Sequence, residues 1–241
     1  MLLMEVEGLT KTFGGVVANK DINLRVEEGE IVGLIGPNGS GKTTFFNLVS
    51  GDLKPDQGTI QFQGENITGM PSHMVNRKGI ARTYQILRPF SGMTVLENVM
   101  VGALPRMTIR EATEAASHFI NVVGLAHRTH TLASALSTGQ RKRLELARAM
   151  ATKPKMLLLD EVTGGVDHKS IPGLIALVKK LHQEGVTLLI IEHSMKVVMQ
   201  LANRIVAFHL GEKICDDLPE RVATDQRVIE LYLGKAYAKN S

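Results

Sequence analysis

One short stretch constrains this chain more than any other. Residues 36–44 read Gly-Pro-Asn-Gly-Ser-Gly-Lys-Thr-Thr and fit G-x-x-x-x-G-K-[ST], with Gly36, Gly41, Lys42 and Thr43 at the fixed positions. The apolar run Glu30-Ile31-Val32-Gly33-Leu34-Ile35 before it reads as a buried strand, and Thr44-Phe45-Phe46-Asn47-Leu48-Val49 after it can continue as a helix. A strand–loop–helix of small residues lets the backbone wrap a phosphate, with the N–H groups of a helix start aimed at the anion. Asn38, Gly39, Ser40 and Thr44 complete that cradle. Lys42 would reach the β- and γ-phosphates of a nucleotide, and the Thr43 hydroxyl would ligate Mg²⁺. The plain alternative is a Gly-rich turn with a solvated lysine; the complete spacing and both flanks weigh against it.

Composition narrows the setting. Apolar residues make up 44% and charged residues 22% of 241 positions, as in ordinary globular proteins, enough for one large domain or two lobes. A net charge of +4 suits a polyphosphate ligand or a membrane-surface partner and is too small to argue for nucleic acid. With no Trp and 4% aromatics, a base-stacking surface is not expected. The single Cys215 rules out an internal disulfide framework and points to a reducing compartment. No apolar stretch approaches the ~18 residues of a membrane span. The start Met1-Leu2-Leu3-Met4-Glu5 lacks the features of a signal peptide. The expected location is cytoplasmic, with any membrane role carried through a partner.

Patterning divides the chain. Ile22, Leu24 and Val26 alternate with polar residues, as do Thr59–Gln63 between Gly58 and Gly64, so the N-terminal part reads as antiparallel β. From Ile31 onward apolar strands alternate with helices, which predicts a mainly parallel sheet. Ser170-Ile171-Pro172 starts a helix with Leu174, Leu177, Val178 and Leu181 on one face, stopped by Gly185. Glu111 to Val123 is a second helix, ending near Gly124. Residues 87–153 show no buried strand and read as a helical lobe inserted into an α/β core made of 1–86 and 154–241. Lys235–Ser241 is a short basic tail, most simply a frayed end.

Strand ends carry the chemistry. Met156-Leu157-Leu158-Leu159 is a strand covered on both faces, and it ends in Asp160-Glu161. Asp160 suits a Mg²⁺ shell, and Glu161 is placed to orient and deprotonate an attacking water. Ile80–Tyr84 leads to Gln85, and Thr187–Glu192 leads to His193. Ligands in parallel sheets bind beyond the carboxyl ends of the strands, so these residues and the phosphate loop are expected at one edge. A histidine after a strand more often caps or packs; this position favours a functional role. In Leu136-Ser137-Thr138-Gly139-Gln140, Ser137 is a helix N-cap and Gly139 permits close backbone approach. That helix start could offer a second phosphate contact, although the residues alone establish only a capped helix.

The whole set, Gly36–Thr43, Gln85, Leu136–Gln140, Asp160-Glu161, Asp167 and His193, resembles an ABC-type ATPase domain over nearly the full chain. The resemblance implies a P-loop NTPase core of α/β class, with an N-terminal antiparallel β subdomain and an inserted helical subdomain. It also implies two such domains sandwiching two ATP molecules with Mg²⁺. Ser137, Gly139 and Gln140 would then meet the γ-phosphate held by the opposite subunit, with Asp167 nearby. Phe13 resembles the aromatic that stacks on adenine, its alternative being a core phenylalanine. Gln85 resembles the sensor of Mg²⁺ and water, and His193 the γ-phosphate switch histidine. Three departures stand out: Thr138 where glycine is usual, Val162 where proline follows the glutamate, and Gly164-Gly165-Val166-Asp167 in place of Ser-Ala-Leu-Asp.

A finer resemblance, through Glu30–Thr44, Gly79–Gln85, Thr94–Val99, Ile191–Met199 and Val228–Gly234, is to the ATP-binding subunits of branched-chain amino acid importers. Lipopolysaccharide-export and urea or amide uptake ATPases are similar too. The resemblance implies transmembrane permease subunits, a second ATPase subunit (a copy or a paralogue), a solute-binding protein acting through the permease, and a place on the cytoplasmic face of the inner membrane. The loop Ile86-Leu87-Arg88-Pro89-Phe90-Ser91-Gly92-Met93 would dock the permease, or else Leu87 and Phe90 pack into the lobe. A soluble ABC-type ATPase of repair or translation would need tandem domains or a long coiled coil, and neither is visible. A catalytically degraded module is opposed by intact Lys42, Asp160, Glu161 and His193.

Overall fold

Twelve-residue strands open the chain because Met4, Val6 and Leu9 face Ile22, Leu24 and Val26 across one buried surface, while their neighbours meet water. The computed structural model describes residues 1–84 and 89–233. They form two compact units, residues 1–78 with 187–241 and residues 79–186.

In the first unit, β1 (Leu2–Phe13) and β2 (Val16–Glu27) form an antiparallel hairpin. The chain continues through β3 (Ile31–Ile35), α1 (Lys42–Val49), β4 (Gln57–Phe62), β5 (Glu65–Asn66) and α2 (Ser72–Lys78). The antiparallel sheet has the order β2-β1-β4-β5. The second unit holds β6 (Ile80–Arg82), α3 (Val95–Ala103), α4 (Ile109–Val122), α5 (Thr138–Met150), β7 (Met156–Asp160) and α6 (Ile171–Gln183). The chain then returns to the first unit as β8 (Thr187–Ile191), α7 (Met195–Leu201), β9 (Arg204–His209), β10 (Glu212–Asp217), α8 (Pro219–Thr224) and α9 (Gln226–Leu233).

β3 lies between β8 and β9, parallel to both, and β10 closes that edge antiparallel to β9. Every residue of β3 and β8 is buried, as expected of strands covered on both faces. Ile35, Val198, Ile205, Ala207, Val222 and Val228 share one core, so the last helices seal the strand that feeds the phosphate loop. The edge is held by Arg204, whose guanidinium binds Glu30 at 2.6 Å, while Lys213 meets Asp216 at 2.9 Å. The hairpin β9–β10 has no strong sequence signal, because β10 is half-buried and mostly charged.

In the second unit, β6 and β7 pair in parallel. Among the described residues between 89 and 153 there are helices, turns and one bridge, Thr94 with Leu132, and no named strand. Three helices start with reciprocal caps, Thr94 with Glu97, Thr108 with Glu111, and Ser137 with Gln140. The Thr94 and Thr108 N–H groups hold the Glu97 and Glu111 carboxyls below their ordinary range.

Candidate functional site

The phosphate loop is fixed by contacts that only glycine tolerates. Gly36 has φ 145°, and a Cβ there would sit 2.2 Å from the Phe208 carbonyl oxygen and 2.7 Å from Ser40 Oγ. Gly41 has φ 101° and would place a Cβ 2.2 Å from the Ala18 carbonyl oxygen. Gly41 is also the N-cap of α1 and supplies no side-chain acceptor to the first turn. Ser40 is buried, Asn38 and Gly39 are exposed, and in the first turn of α1 Thr43 is exposed and Thr44 half-buried. The Lys42 side chain turns inward, and its ammonium donates to the carbonyls of Gly36 at 2.7 Å and Pro37 at 2.9 Å, and to Ser40 Oγ at 3.3 Å. Asn19, fully buried, donates to the Gly41 carbonyl at 3.2 Å. Its bracing role has no sequence signal, since it comes from a different strand.

β3 and β8 run parallel with Leu34 opposite Ile191, so the phosphate loop and Glu192-His193 leave the same end of that sheet. His193 is exposed there and Glu192 is buried. Phe13 ends β1 with 47% of its surface exposed and the Lys11 ammonium 5.6 Å from its ring centroid, so it is not a core phenylalanine.

The second unit carries the acids. Asp160 is buried and ion-paired with Arg82, Nη2 to Oδ2 at 3.0 Å, both side chains nearly inaccessible. Arg82 is the cation that the buried Asp160 requires, and it also lies 4.8 Å from the Tyr84 ring. Arg82 reads from sequence as a strand residue with no assigned partner; the parallel register of β6 and β7 makes the pairing possible. The Asp160 N–H donates to Thr83 Oγ1 at 3.3 Å.

Glu161 follows with φ 53°, left-handed backbone that side-chain-bearing residues seldom adopt. Gln85 lies outside the described residues. Just before it, the Tyr84 N–H donates to Glu145 Oε1 at 2.9 Å. Burial pushes the Glu145 carboxyl above its ordinary range, opposed by the Tyr84 N–H and by Lys142 and Arg148.

Ser137 caps α5 as the sequence requires: its hydroxyl accepts from the Gln140 N–H at 3.3 Å, and its own N–H donates to Gln140 Oε1 at 3.0 Å. Nothing lies within 4 Å of a Cβ built on Gly139, so this helix start is open to approach. Asp167 is exposed and accepts from the Ser170 hydroxyl at 2.8 Å and N–H at 3.1 Å. The hydroxyl bond holds its carboxyl below the usual range. Phe90 is 47% exposed with the Arg148 guanidinium 5.5 Å from its ring, and the buried Asn98 side chain ties the backbone of Phe90, Met93 and Thr94. Ile86, Leu87 and Arg88 lie outside the described residues.

Comparison with known proteins shows the family. The family model described as ABC transporter matches residues 19–164. The chain is 42% identical to the high-affinity branched-chain amino acid transport ATP-binding protein BraF of Pseudomonas aeruginosa, covering 97% of this chain and 98% of that one. It is 38% identical to LivG of Escherichia coli K12, a protein with the same description, over the same shares. It is 36% identical to the lipopolysaccharide export system ATP-binding protein LptB of Haemophilus influenzae, covering 98% of this chain and 99% of that one. Among solved structures, a nucleotide-free ATP-binding cassette from an ABC transporter superimposes with a TM-score of 0.88 at 31% identity, covering 98% of this chain and all of that one. The ADP conformation of the cassette MJ1267 gives a TM-score of 0.86 at 31% identity, with the same coverage.

Proposed function

The chain belongs to the ABC transporter family, and on that premise we propose that it is the ATP-hydrolysing subunit of an importer for branched-chain amino acids. The observation that carries the proposal is likeness to BraF and LivG across nearly the whole chain. The triphosphate would lie against the phosphate-loop N–H groups, its oxygens taking over protons that Lys42 now gives to the Gly36 and Pro37 carbonyls. Phe13 would stack on the adenine, and His193 would stabilise charge at the γ-phosphate. Glu161 is the general base that orients and deprotonates water.

The oxygen donors present fit Mg²⁺. Thr43 offers a hydroxyl and Asp160 a carboxylate, and among the described residues no three His, Cys, Asp or Glu side chains gather into an all-protein metal cage. Such a sparse, hard donor set suits an ion held largely by substrate phosphates. Thr43, Asp160 and Gln85 would hold it, and the bound ion would neutralise charge on the phosphoryl oxygens. Arg82 restricts the Asp160 carboxylate to one orientation.

A second ATPase subunit would contribute its own Ser137, Gly139, Gln140 and Asp167, or a paralogue's equivalents. Among the described residues no helix is long and apolar enough to cross a membrane. Transport therefore calls for permease subunits, with this chain on the cytoplasmic face of the inner membrane and a solute-binding protein reached through the permease. Exposed Phe90 and Met93 would meet the permease.

The test is a mild-detergent pull-down of the tagged chain from native membranes, followed by transport of labelled leucine, isoleucine and valine. Two permease subunits, a second ATPase and ATP-dependent uptake are expected. The likeness to LptB favours a second reading, lipid export, and recovery of lipid-export partners without uptake would replace the first. Recovery with no membrane partner would overturn both.

A further inference from the structure

The departures at Val162 and Gly164 have a physical counterpart within the second unit. A proline at 162 would drive the residue before it to extended backbone, φ about −120°. Val162 lifts that restriction, and Glu161 stands at φ 53°. Such a conformation is costly in a non-glycine residue and persists only where its surroundings enforce it. Two neighbours enforce it here. The Gly164 N–H donates to the Glu161 carbonyl at 3.1 Å, and a Cβ on Gly164 would come within 3.2 Å of Glu161 Oε2. The Lys142 ammonium, its residue only 5% exposed, donates to the same carbonyl at 2.7 Å.

Lys142 sits on α5, one turn beyond the Ser137–Gln140 start and three residues before Glu145. Residues three apart share a helix face. One face of α5 therefore grips both segments that bear on the reaction: Glu145 holds the Tyr84 N–H next to Gln85, and Lys142 holds the Glu161 carbonyl. We propose that Lys142 is a positioning residue that holds the backbone of Glu161 in its left-handed conformation, so that its carboxylate faces the water it activates. The proposal rests on Glu161 being the base. Because Lys142 extends from the same helix as Ser137, movement at that helix start is transmitted to Glu161 through one charged hydrogen bond.

The experiment is a double-mutant cycle in the full-length chain, with Lys142→Met and Val162→Pro alone and together, beside Glu161→Gln. Lys142→Met should lower kcat about tenfold to a hundredfold with KM for ATP unchanged, the scale of a displaced catalytic group. It should also speed amide hydrogen exchange across residues 160–166 while leaving the phosphate loop unchanged. Val162→Pro, which disfavours the left-handed backbone at Glu161, should itself lower kcat, and in that background Lys142→Met should cost less than about threefold, since the geometry that Lys142 holds is already lost. A loss that is the same in both backgrounds, or a normal kcat in Lys142→Met, overturns the positioning role. If Lys142→Met fails to fold, Lys142→Gln keeps a donor without the charge, and the same pattern is required of it. Turnover retained in Glu161→Gln overturns the assignment of the base itself, whatever Lys142 does.

Discussion

The phosphate loop and the acidic strand end are built on opposite plans. The loop is held by close approach to backbone: Gly36 and Gly41 occupy positions where a Cβ would strike the carbonyl oxygens of Phe208 and Ala18, and Lys42 is clasped by the carbonyls of Gly36 and Pro37 a few residues away. The acidic end is held by side chains from elsewhere in its unit. Arg82 from β6 holds Asp160, and Lys142 and Glu145 from α5 hold the Glu161 and Tyr84 backbones. The first plan tolerates no change of residue type at its glycines, because its close contacts are with backbone carbonyls. The second can absorb changes such as Val162 and Gly164, because its geometry is set by partners that can be exchanged.

If that contrast is right, the largest effects belong to the buried ions. Arg82→Met should strand Asp160 without its partner and cost about 3–5 kcal/mol, read as a fall in denaturant midpoint at constant m. A variant of ordinary stability would show that water or another cation replaces Arg82. Next comes Lys42→Ala, expected to reduce kcat about 10²–10³-fold, the range for removing one preorganised donor, with melting little changed. A large melting loss would mean that Lys42 is as much a structural clamp as a ligand, and would narrow the contrast between the two plans.

Glu145 probes the second plan by pH. Its carboxyl lies above its ordinary value of 4.5, chiefly through burial. A raised pKa means the folded state favours the proton, so this contribution to stability is full below the ordinary value and is lost as pH rises through the shifted one. Glu145→Gln keeps an acceptor for the Tyr84 N–H without the charge and should flatten that part of the stability profile. Glu145→Leu removes the charged acceptor of the Tyr84 N–H and should cost about 1–3 kcal/mol. Equal behaviour of the two variants would remove Glu145 as an anchor. The smallest effect is that of Ser137→Ala, about 1 kcal/mol from the lost cap, measured by melting temperature.

The same contrast explains what the sequence disclosed. The loop, its feeding strand and the helix after it were legible because spacing and local backbone preference determine them. The alternation of Ile22, Leu24 and Val26 and the apolar runs of β7 and β8 were legible for the same reason, and so were the helices over 109–122 and 171–183 and the Ser137 cap. Arg82, Asn19, Lys142 and Asn98 were not, because each acts on a partner chosen by strand register or helix packing. β10 was hidden by its charged, half-buried composition. The exposure of Phe13 removes the core alternative that residue type left open.

Everything said of mechanism depends on hydrolysis of ATP with Glu161 as base. Steady-state ATP hydrolysis and ATP binding should be measured side by side on the purified wild-type chain and Glu161→Gln. Turnover is expected in the wild type, with binding retained and turnover reduced about a hundredfold or more in the variant. Equal turnover in the two proteins would contradict that assignment.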